Sequence, residues 1–567
     1  MQIRHVSIRN FRGIRELDWA VPPKQFLCLI GCGDSTKSTI LEAIRRAFHP
    51  QWNLAFDDSD FFRCKPENTI TIEVVLGQIP DVFRDLERFG HQLCGWNATE
   101  SQCHAEPGEG LEDVVCVRLT VGADLEPNWQ IVRHGQLEGQ RFGPADREKV
   151  GVSLIGPASD RHLTWARGSL LAGLGEATSL SLSLAETARA ARSAFDARRE
   201  QSLAAFDTAA RKAEATARDL GVRVESGYKA HLDAESLSLN RGGLALHDGD
   251  MPLRRLGLGS KRILTTGIHN QGLTEPHVTL VDEVEIGLEP HRISRLTKHL
   301  KTDRAGQYFV TTHSPVVLRE LGIDDLHVVH CRAGSTEIVA ANKAPLAELI
   351  QGKIRRGAEA FLAPKIVVCE GATEAGFLRG LDDLWVGKGM SSFAYQGIAV
   401  FDAGGANKVC GVANSLVQLA YKVAVLADSD SPDQLSTTDL EALILGGVEV
   451  VVWAGGVSIE ERAFLDLPWE GVLATYNAAC AMHGPTCLDQ VQTQHGTGFL
   501  RDAEKWADNQ QLRRYLGRAA KNGDWFKRQD RAQEWAGVAG VYIDTPTTQE
   551  TDFVRKLRAL RTWIDNA

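Results

Sequence analysis

Two sets of side chains in this sequence have the types and spacing for phosphate chemistry. The first spans four short segments. GCGDSTKS (31–38) follows the apolar run FLCLI and precedes STILEAIRRAF, so a strand, a loop and a helix are expected in that order. Backbone N–H groups at such a helix start cradle phosphate oxygens. Gly31 holds the first position of the loop and Gly33 lies inside it. Lys37 can reach the β- and γ-phosphates, and the Ser38 hydroxyl can bind magnesium. Thr36 stands where a loop of this kind carries its second glycine, a position used for backbone freedom, so ATP hydrolysis is expected to be slow or absent even when nucleotide binds. HVTLVDEVEIGLEPH (277–291) is an apolar strand ending in Asp282 and Glu283. The first acid there can hold magnesium through water and the second can polarise an attacking water. QYFVTTHSP (307–315) is another strand, ending in His313, placed to contact a γ-phosphate. Upstream, RRLGLGSKRIL (254–264) is a Gly/Ser turn opening a helix, which can present amides and Ser260 to a phosphate across a dimer interface. These parts imply ATP with Mg²⁺.

The second set is carboxylate. KIVVCEG (365–371) ends a strand at Glu370, with Glu374 following in EGATE. YKVAVLADSD (421–430) ends another at Asp428 and Asp430. Paired acids at two strand ends are what a divalent-metal site for phosphodiester chemistry requires, and hard oxygen ligands suit Mg²⁺ or Mn²⁺. Two such ions lower the pKa of an attacking water and stabilise the leaving oxygen. Ser429, between the aspartates, can orient an acid or a phosphate.

The elements that must position these groups are an alternation of strands and helices, hence an α/β fold. Residues 2–8, 69–76, 114–121, 277–284, 306–312 and 325–330 read as strands of a first domain, 1–355. The stretch 83–112 has no clear period and reads as a loop or insertion. Residues 179–220 are Ala-rich, carry Arg, Glu and Asp, and lack proline, so a helical arm inserted at about 176–225 is expected, as a surface arm or a dimerisation arm. A second sheet begins at 365, continues through 421–430 and VEVVVW (448–453), and belongs to a second domain, 356–567, that turns helical and relatively basic from 470.

Composition removes other classes. The 567 residues include 63 Lys and Arg against 73 Asp and Glu, a formal charge of -10, which excludes a polycation that coats nucleic acid by bulk charge. If the chain binds DNA, it must do so through local basic patches. No stretch approaches the roughly 18 apolar residues of a membrane helix, and MQIRHVSIRNFRGI reads as a strand rather than a secretory leader. No membrane association and a cytoplasmic location are therefore expected. The 11 cysteines form no CxxC pair and the histidines no HExxH, so neither zinc-finger nor zinc-protease chemistry has support.

NFRGI (10–14), the phosphate loop, LGLGSKR, DEVEIGLEP and TTHSP together resemble the ABC-type ATPases of the RecF/SMC kind. That resemblance implies ATP bound between two protomers, with Ser260 touching the partner's nucleotide. Val284 stands where that family usually has proline. The glutamate after one strand and DxD after another resemble the TOPRIM domain, and TOPRIM directly after such an ATPase resembles the OLD (overcoming lysogenisation defect) family. The nearest likeness is to its class 2, the group that includes the nuclease subunit of the Gabija anti-phage system. The resemblance implies an ATP-regulated, metal-dependent DNA endonuclease and a homodimer or homotetramer formed through the ATPase domain and arm. Gabija-type relatives also work with a UvrD-like helicase. It further implies a metal-cluster glutamate in GGVSIEERAFLDLPW (455–469), Glu460 or the adjacent Glu461, and a catalytic lysine in KNGDWFKRQD (521–530), Lys527 or, more weakly, Lys521. A RecF/SMC-type DNA-binding or repair scaffold without nuclease activity, and a TOPRIM ribonuclease, are the rival readings.

Overall fold

The computed structural model describes residues 1–156, 204–219, 246–272, 277–303, 306–496, 501–543 and 550–566, with isolated positions between them. The first part of the chain supplies β1 (Gln2–Phe11), β2 (Ile14–Ala20), β3 (Phe26–Ile30), β4 (Ile70–Gly77), β5 (Cys94–Asn97), β6 (Gln102–His104), β7 (Glu112–Val121), β8 (Pro127–Val132), β9 (Gln140–Arg141) and β10 (Val152–Ile155). A small hairpin follows, β11 (His247–Asp248) and β12 (Met251–Pro252). Then come β13 (His277–Val281), β14 (Gly306–Thr311), β15 (Leu326–Arg332) and β16 (Ser335–Ala340). All but the hairpin join one mixed sheet of 14 strands, ordered β10-β13-β14-β3-β15-β16-β2-β1-β4-β7-β5-β6, with β8 and β9 beyond β7.

Strands β10, β13, β14, β3 and β15 are parallel neighbours. The runs of β3, β13 and β14 are buried on both faces, as a parallel sheet covered on both sides requires, whereas β10 at the edge is only partly buried. Leu27 and Leu29 of β3 pack with Ile40, Leu41 and Ile44 of the helix Lys37–Ala47. Phe26, Cys28 and Ile30 point the other way, into a layer with Val281, Val310 and Val328. The parallel order places the ends of β3, β13 and β14 side by side, where open α/β sheets bind ligands.

The second sheet contains β17 (Lys365–Cys369), β18 (Ile398–Asp402), β19 (Lys422–Ala427) and β20 (Glu449–Val452), all parallel, in the order β18-β17-β19-β20. Ile366, Val368, Val423 and Val425 enter the same core layer as Phe26, Ile30 and Val328 of the large sheet. Val367, Cys369, Ala424 and Leu426 face the opposite layer, under the C-terminal helices. The expected boundary at 355/356 falls within the helix Ala347–Gly357, whose Ile350 and Ile354 are buried in the shared layer.

Two expectations meet the structure differently. The stretch 83–112 is not wholly loop: it holds β5 and β6, which extend the sheet beyond β7. These strands have 4 and 3 residues, too few to set up a readable alternation. Of the arm expected at 176–225, the structure describes the helix Ala204–Asp219, and the rest lies outside the described residues.

Two helix pairs set the second site. Along the helix Ala372–Gly387, a Cβ at Gly376 would come within 2.3 Å of the Gln529 carbonyl, and one at Gly380 within 2.3 Å of the Gln533 carbonyl. The helix Gln529–Ala539 therefore lies backbone-close against it. A Cβ at Gly517, in the helix Gln510–Asn522, would lie 2.8 Å from the Cα of Glu461 in the helix Ile459–Asp466. That approach brings the end of the former helix over the end of β19.

Candidate functional sites

The phosphate loop leaves β3 at Gly31, where φ is 143° and a Cβ would strike the Val329 carbonyl at 2.5 Å. Thr36 takes the left-handed conformation (φ 68°, ψ 11°) that a glycine would take without cost. Threonine holds this conformation at the expense of backbone strain. Its methyl is one of the atoms nearest Gly13, and its hydroxyl lies 3.2 Å from that of Thr336. Lys37 is buried and folded back on its own loop, donating to the Gly31 carbonyl (3.0 Å), the Cys32 carbonyl (2.7 Å) and Ser35 Oγ (2.9 Å). Burial lowers its pKa to about 8, against the opposing pull of Cys32, Glu283 and Asp282.

Ser38 Oγ donates to Asp282 Oδ1 at 2.8 Å, and Thr311 Oγ1 donates to the same oxygen at 2.7 Å. Loop hydroxyl and strand-end acid are thus joined, as a shared magnesium shell requires. Glu283 follows at φ 48°, its N–H given to Thr311 Oγ1 at 2.8 Å. Val284 is buried and donates its N–H to the Thr311 carbonyl at 3.1 Å, so the turn forms without the proline. The His313 pKa is lowered, first by burial and then by the Lys37 charge, which favours the neutral ring.

Three residues that sequence reasoning missed complete this centre. Glu285 accepts from His313 N–H (2.6 Å) and Thr312 Oγ1 (2.7 Å), fixing the histidine loop. Gly259, in the turn before Ser260, would clash through a Cβ with the Gly287 carbonyl at 2.1 Å, so this turn packs directly on the acidic one. Arg262, 1% exposed, donates to the Asp282 carbonyl from the same helix that carries Ser260. Ser260 Oγ itself accepts from Arg292 at 3.2 Å.

The second centre lies where the strand order of the small sheet reverses, between β17 and β19. Glu370 follows β17, and its Oε2 accepts the Asp428 N–H at 3.0 Å. Asp428 Oδ1 also accepts from Trp453 Nε1 (3.1 Å) and from the Ile459 N–H (2.9 Å). Glu374, in the first turn of its helix, is buried and accepts the Gly371 N–H at 2.8 Å. Glu460, also buried, accepts from Ser458 Oγ at 2.8 Å. The adjacent Glu461 instead caps its helix through the Ser458 N–H at 3.1 Å. Ser429 Oγ ties the aspartate loop to Val457, accepting its N–H at 2.9 Å and donating to its carbonyl at 3.3 Å.

These acids press on one another. Burial first, then Glu374, Glu460, Glu370 and Asp430, push Asp428 well above the usual carboxylate range. Glu374 is pushed up to about 8, by burial and then by the Glu460 charge. Glu370 and Glu460 are raised as well, chiefly by burial. Lys521 ion-pairs with Asp430 at 2.5 Å and with Glu461 at 3.6 Å. Burial would lower its pKa, but the Asp430 hydrogen bond and the charges of Asp430, Glu461 and Asp428 prevail and raise it. Lys527 is exposed and paired with Asp524 at 3.0 Å, and Asp524 raises its pKa, with Glu460 and Glu374 adding to the effect. The aromatics beside it, Trp525 and Phe526, are fully buried anchors of its turn.

Among the described residues, no three His, Cys, Asp or Glu side chains converge tightly enough to hold an ion as they stand. Their oxygens are engaged by Lys521, Trp453, Ser458 and backbone amides. The donor set nonetheless fits a hard divalent cation. Every candidate ligand is a carboxylate, and the raised pKa values of Glu370, Glu374, Asp428 and Glu460, from burial first and then from their neighbours' charges, are the penalty such a cation removes.

Two family models match separate parts of the chain. Residues 146–319 match the AAA domain family whose description names the AbiEii toxin of Type IV TA systems. Residues 361–430 match the TOPRIM domain of overcoming lysogenization defect protein-like proteins. No protein of curated function matches the chain. Among solved structures, the Smc head bound to the C-winged helix domain of ScpA is 14% identical, covering 61% of this chain and 100% of that one at a TM-score of 0.33. The SMC head domain from Thermotoga maritima is 16% identical, covering 60% and 99% at 0.28. The recombination mediator protein RecF of the RecFOR pathway is 13% identical, covering 60% and 98% at 0.31. No helix among the described residues is long and apolar enough to cross a membrane. An ATPase domain followed by an OLD-like TOPRIM domain is the architecture of an OLD-family nuclease, and domains of these two kinds use ATP and Mg²⁺.

Proposed function

We propose that this chain, built on the OLD-family ATPase–TOPRIM plan, is an ATP-regulated, divalent-metal-dependent DNA endonuclease that nicks or cuts DNA in bacterial anti-phage defence. The observation that carries the reading is the cluster of buried Glu374 and Glu460 with half-buried Glu370 and Asp428 at the switch point of the small sheet, with Asp430 and Lys521 at its edge. A buried group of like charges is costly to maintain unless a cation joins it.

Glu370, Glu374, Asp428, Asp430 and Glu460 would hold two Mg²⁺ or Mn²⁺ ions. When bound, the ions supply Lewis acidity and an activated water at neutral pH. The chain's own residues do the rest. Trp453 and the Ile459 amide fix the Asp428 carboxylate, and Ser458 fixes Glu460. Lys521 and Lys527 bring positive charge to the side of the cluster where a pentavalent phosphate would gather negative charge. At the other centre, Gly31, Gly33, Lys37 and Ser38 would bind the nucleotide phosphates, with Asp282, Glu283 and His313 around the γ-phosphate. Ser260 would touch the nucleotide of a second protomer in a homodimer or homotetramer. ATP would then gate how DNA reaches the acid cluster, with a UvrD-like helicase as a further partner.

The test is a supercoiled plasmid incubated with the protein and Mg²⁺ or Mn²⁺, with an RNA substrate in parallel. Nicked or linear plasmid, lost on Asp428→Ala, is expected. Intact plasmid bound in gel shifts would establish the scaffold reading, and cleavage of RNA alone the ribonuclease reading.

A further inference from the structure

The helix Gln510–Asn522 carries more than Lys521. Its N-terminal half forms one wall of a cleft of about 560 Å³, lined by His495, Phe499, Lys505, Trp506, Gln511 and Tyr515 among others. The rings already touch one another. His495 and Tyr515 have centroids 5.1 Å apart, His495 and Phe499 5.1 Å, and Phe499 and Trp506 5.6 Å. Tyr515 OH accepts from Gln511 Nε2 at 2.7 Å, which holds the ring in place.

The exposed face of the same helix is basic. Arg514, Arg518 and Lys521 are spaced i, i+4 and i+7, so they form one stripe along it. Neighbouring cations are neutralised: Lys505 pairs with Asp502, Arg501 with Asp489 and Arg513 with Asp508. Arg514 and Arg518 are exposed and carry no ion pair among the described residues. From Tyr515 to Lys521 is about 9 Å of helix axis. That spans two to three nucleotides at the rise of a stacked strand, about 3.4 Å each.

We propose that this cleft seats an unstacked base of a single-stranded DNA segment, whose phosphates follow Arg514 and Arg518 to the acid cluster beside Lys521. The inference rests on the nuclease reading for the meaning of the acid cluster, but the cleft and stripe define a binding site by themselves. Flat aromatic faces accept any base by stacking, and unpaired guanidiniums track a phosphate backbone. An aromatic cleft with a cationic approach fits this ligand better than an apolar peptide, which has no use for the arginine stripe.

Binding of a fluorescein-labelled oligothymidylate, followed by anisotropy in EDTA, tests the proposal without cleavage. Tyr515→Ala should weaken single-strand binding roughly tenfold or more and leave duplex binding within about twofold, whereas Tyr515→Phe should retain both. The double variant Arg514→Ala/Arg518→Ala should reduce the slope of log affinity against log salt by about 1.4 for single strands. Wild-type affinity and salt slope in Tyr515→Ala and in the arginine double variant would overturn the proposal, whether or not the protein cuts plasmid. A protein that never cuts any nucleic acid, yet shows these losses, would overturn the nuclease reading and support the single-strand site.

Discussion

The Lys521 ammonium lies 2.5 Å from Asp430 and 3.6 Å from Glu461, whereas Lys527, six residues on, pairs outside the acid cluster with Asp524 at 3.0 Å. Both lysines feel the acids, but only Lys521 touches one of the proposed metal ligands. Lys521→Ala should therefore lower plasmid cleavage by about 10²–10³, the usual cost of removing one charge-stabilising group. Lys527→Ala should cost less in single-turnover cleavage at saturating metal. A larger loss at Lys527 would move the catalytic role to that lysine.

Glu374 gives a pH signature. Its pKa is pushed up to about 8 from 4.5, so its contribution to metal-free stability is fully present below about 4.5 and is lost as pH rises through about 8. The metal-free protein should melt lower at pH 8.5 than at pH 5. Glu374→Gln, neutral throughout, should lessen that fall by a few degrees, and added Mn²⁺ should raise the wild-type melting temperature at pH 8.5 more than the variant's. Calorimetry with and without EDTA checks both.

Thr36 holds a left-handed backbone at φ 68°. Thr36→Gly should relieve about 1 kcal/mol of strain and free the loop to re-form around phosphate, raising nucleotide affinity and any hydrolysis. Lys37→Ala should abolish nucleotide binding. Titration with a fluorescent ATP analogue separates the two, and equal affinities in wild type and Thr36→Gly would mean that the threonine is fully accommodated.

Gly517 sets how closely the Lys521 helix lies on Glu461, since a Cβ there would sit 2.8 Å from a backbone atom. Gly517→Val should force the helices apart, cost about 1–3 kcal/mol of stability, and lower cleavage beyond what the lost stability explains. A folded Gly517→Val protein with wild-type cleavage would uncouple that helix from the reaction.

The placement of the phosphate loop, Asp282, His313, Glu370, Asp428 and Asp430 after apolar strands is legible in the sequence, because strand, loop and helix are local patterns. Parallel order alone then brings the strand ends together. What could not be read depends on contacts distant in sequence. Trp453 on Asp428 spans 25 residues, Glu285 on His313 spans 28, and the ion pair of Lys521 with Asp430 exists because Gly517 lets two helices touch. Nothing in the spacing of Arg262 marks it, yet it is buried against the Asp282 carbonyl. The strands of 83–112 are too short to show a period.

The ATPase sheet and the nuclease sheet are two faces of one apolar layer, in which Ile30 and Val328 pack in the same cluster as Ile366, Phe401 and Val423. His330 Nε2 contacts the Leu419 carbonyl at 2.7 Å and Arg332 reaches the Ala420 carbonyl at 3.1 Å, fastening the seam from outside. Close-packed interiors do not deform continuously. The two sheets of one protomer are thus joined by a continuous packed layer. Under the proposed gating by ATP, a stroke begun at the phosphate loop would carry both sheets together, and the motion that regulates cutting would lie between protomers.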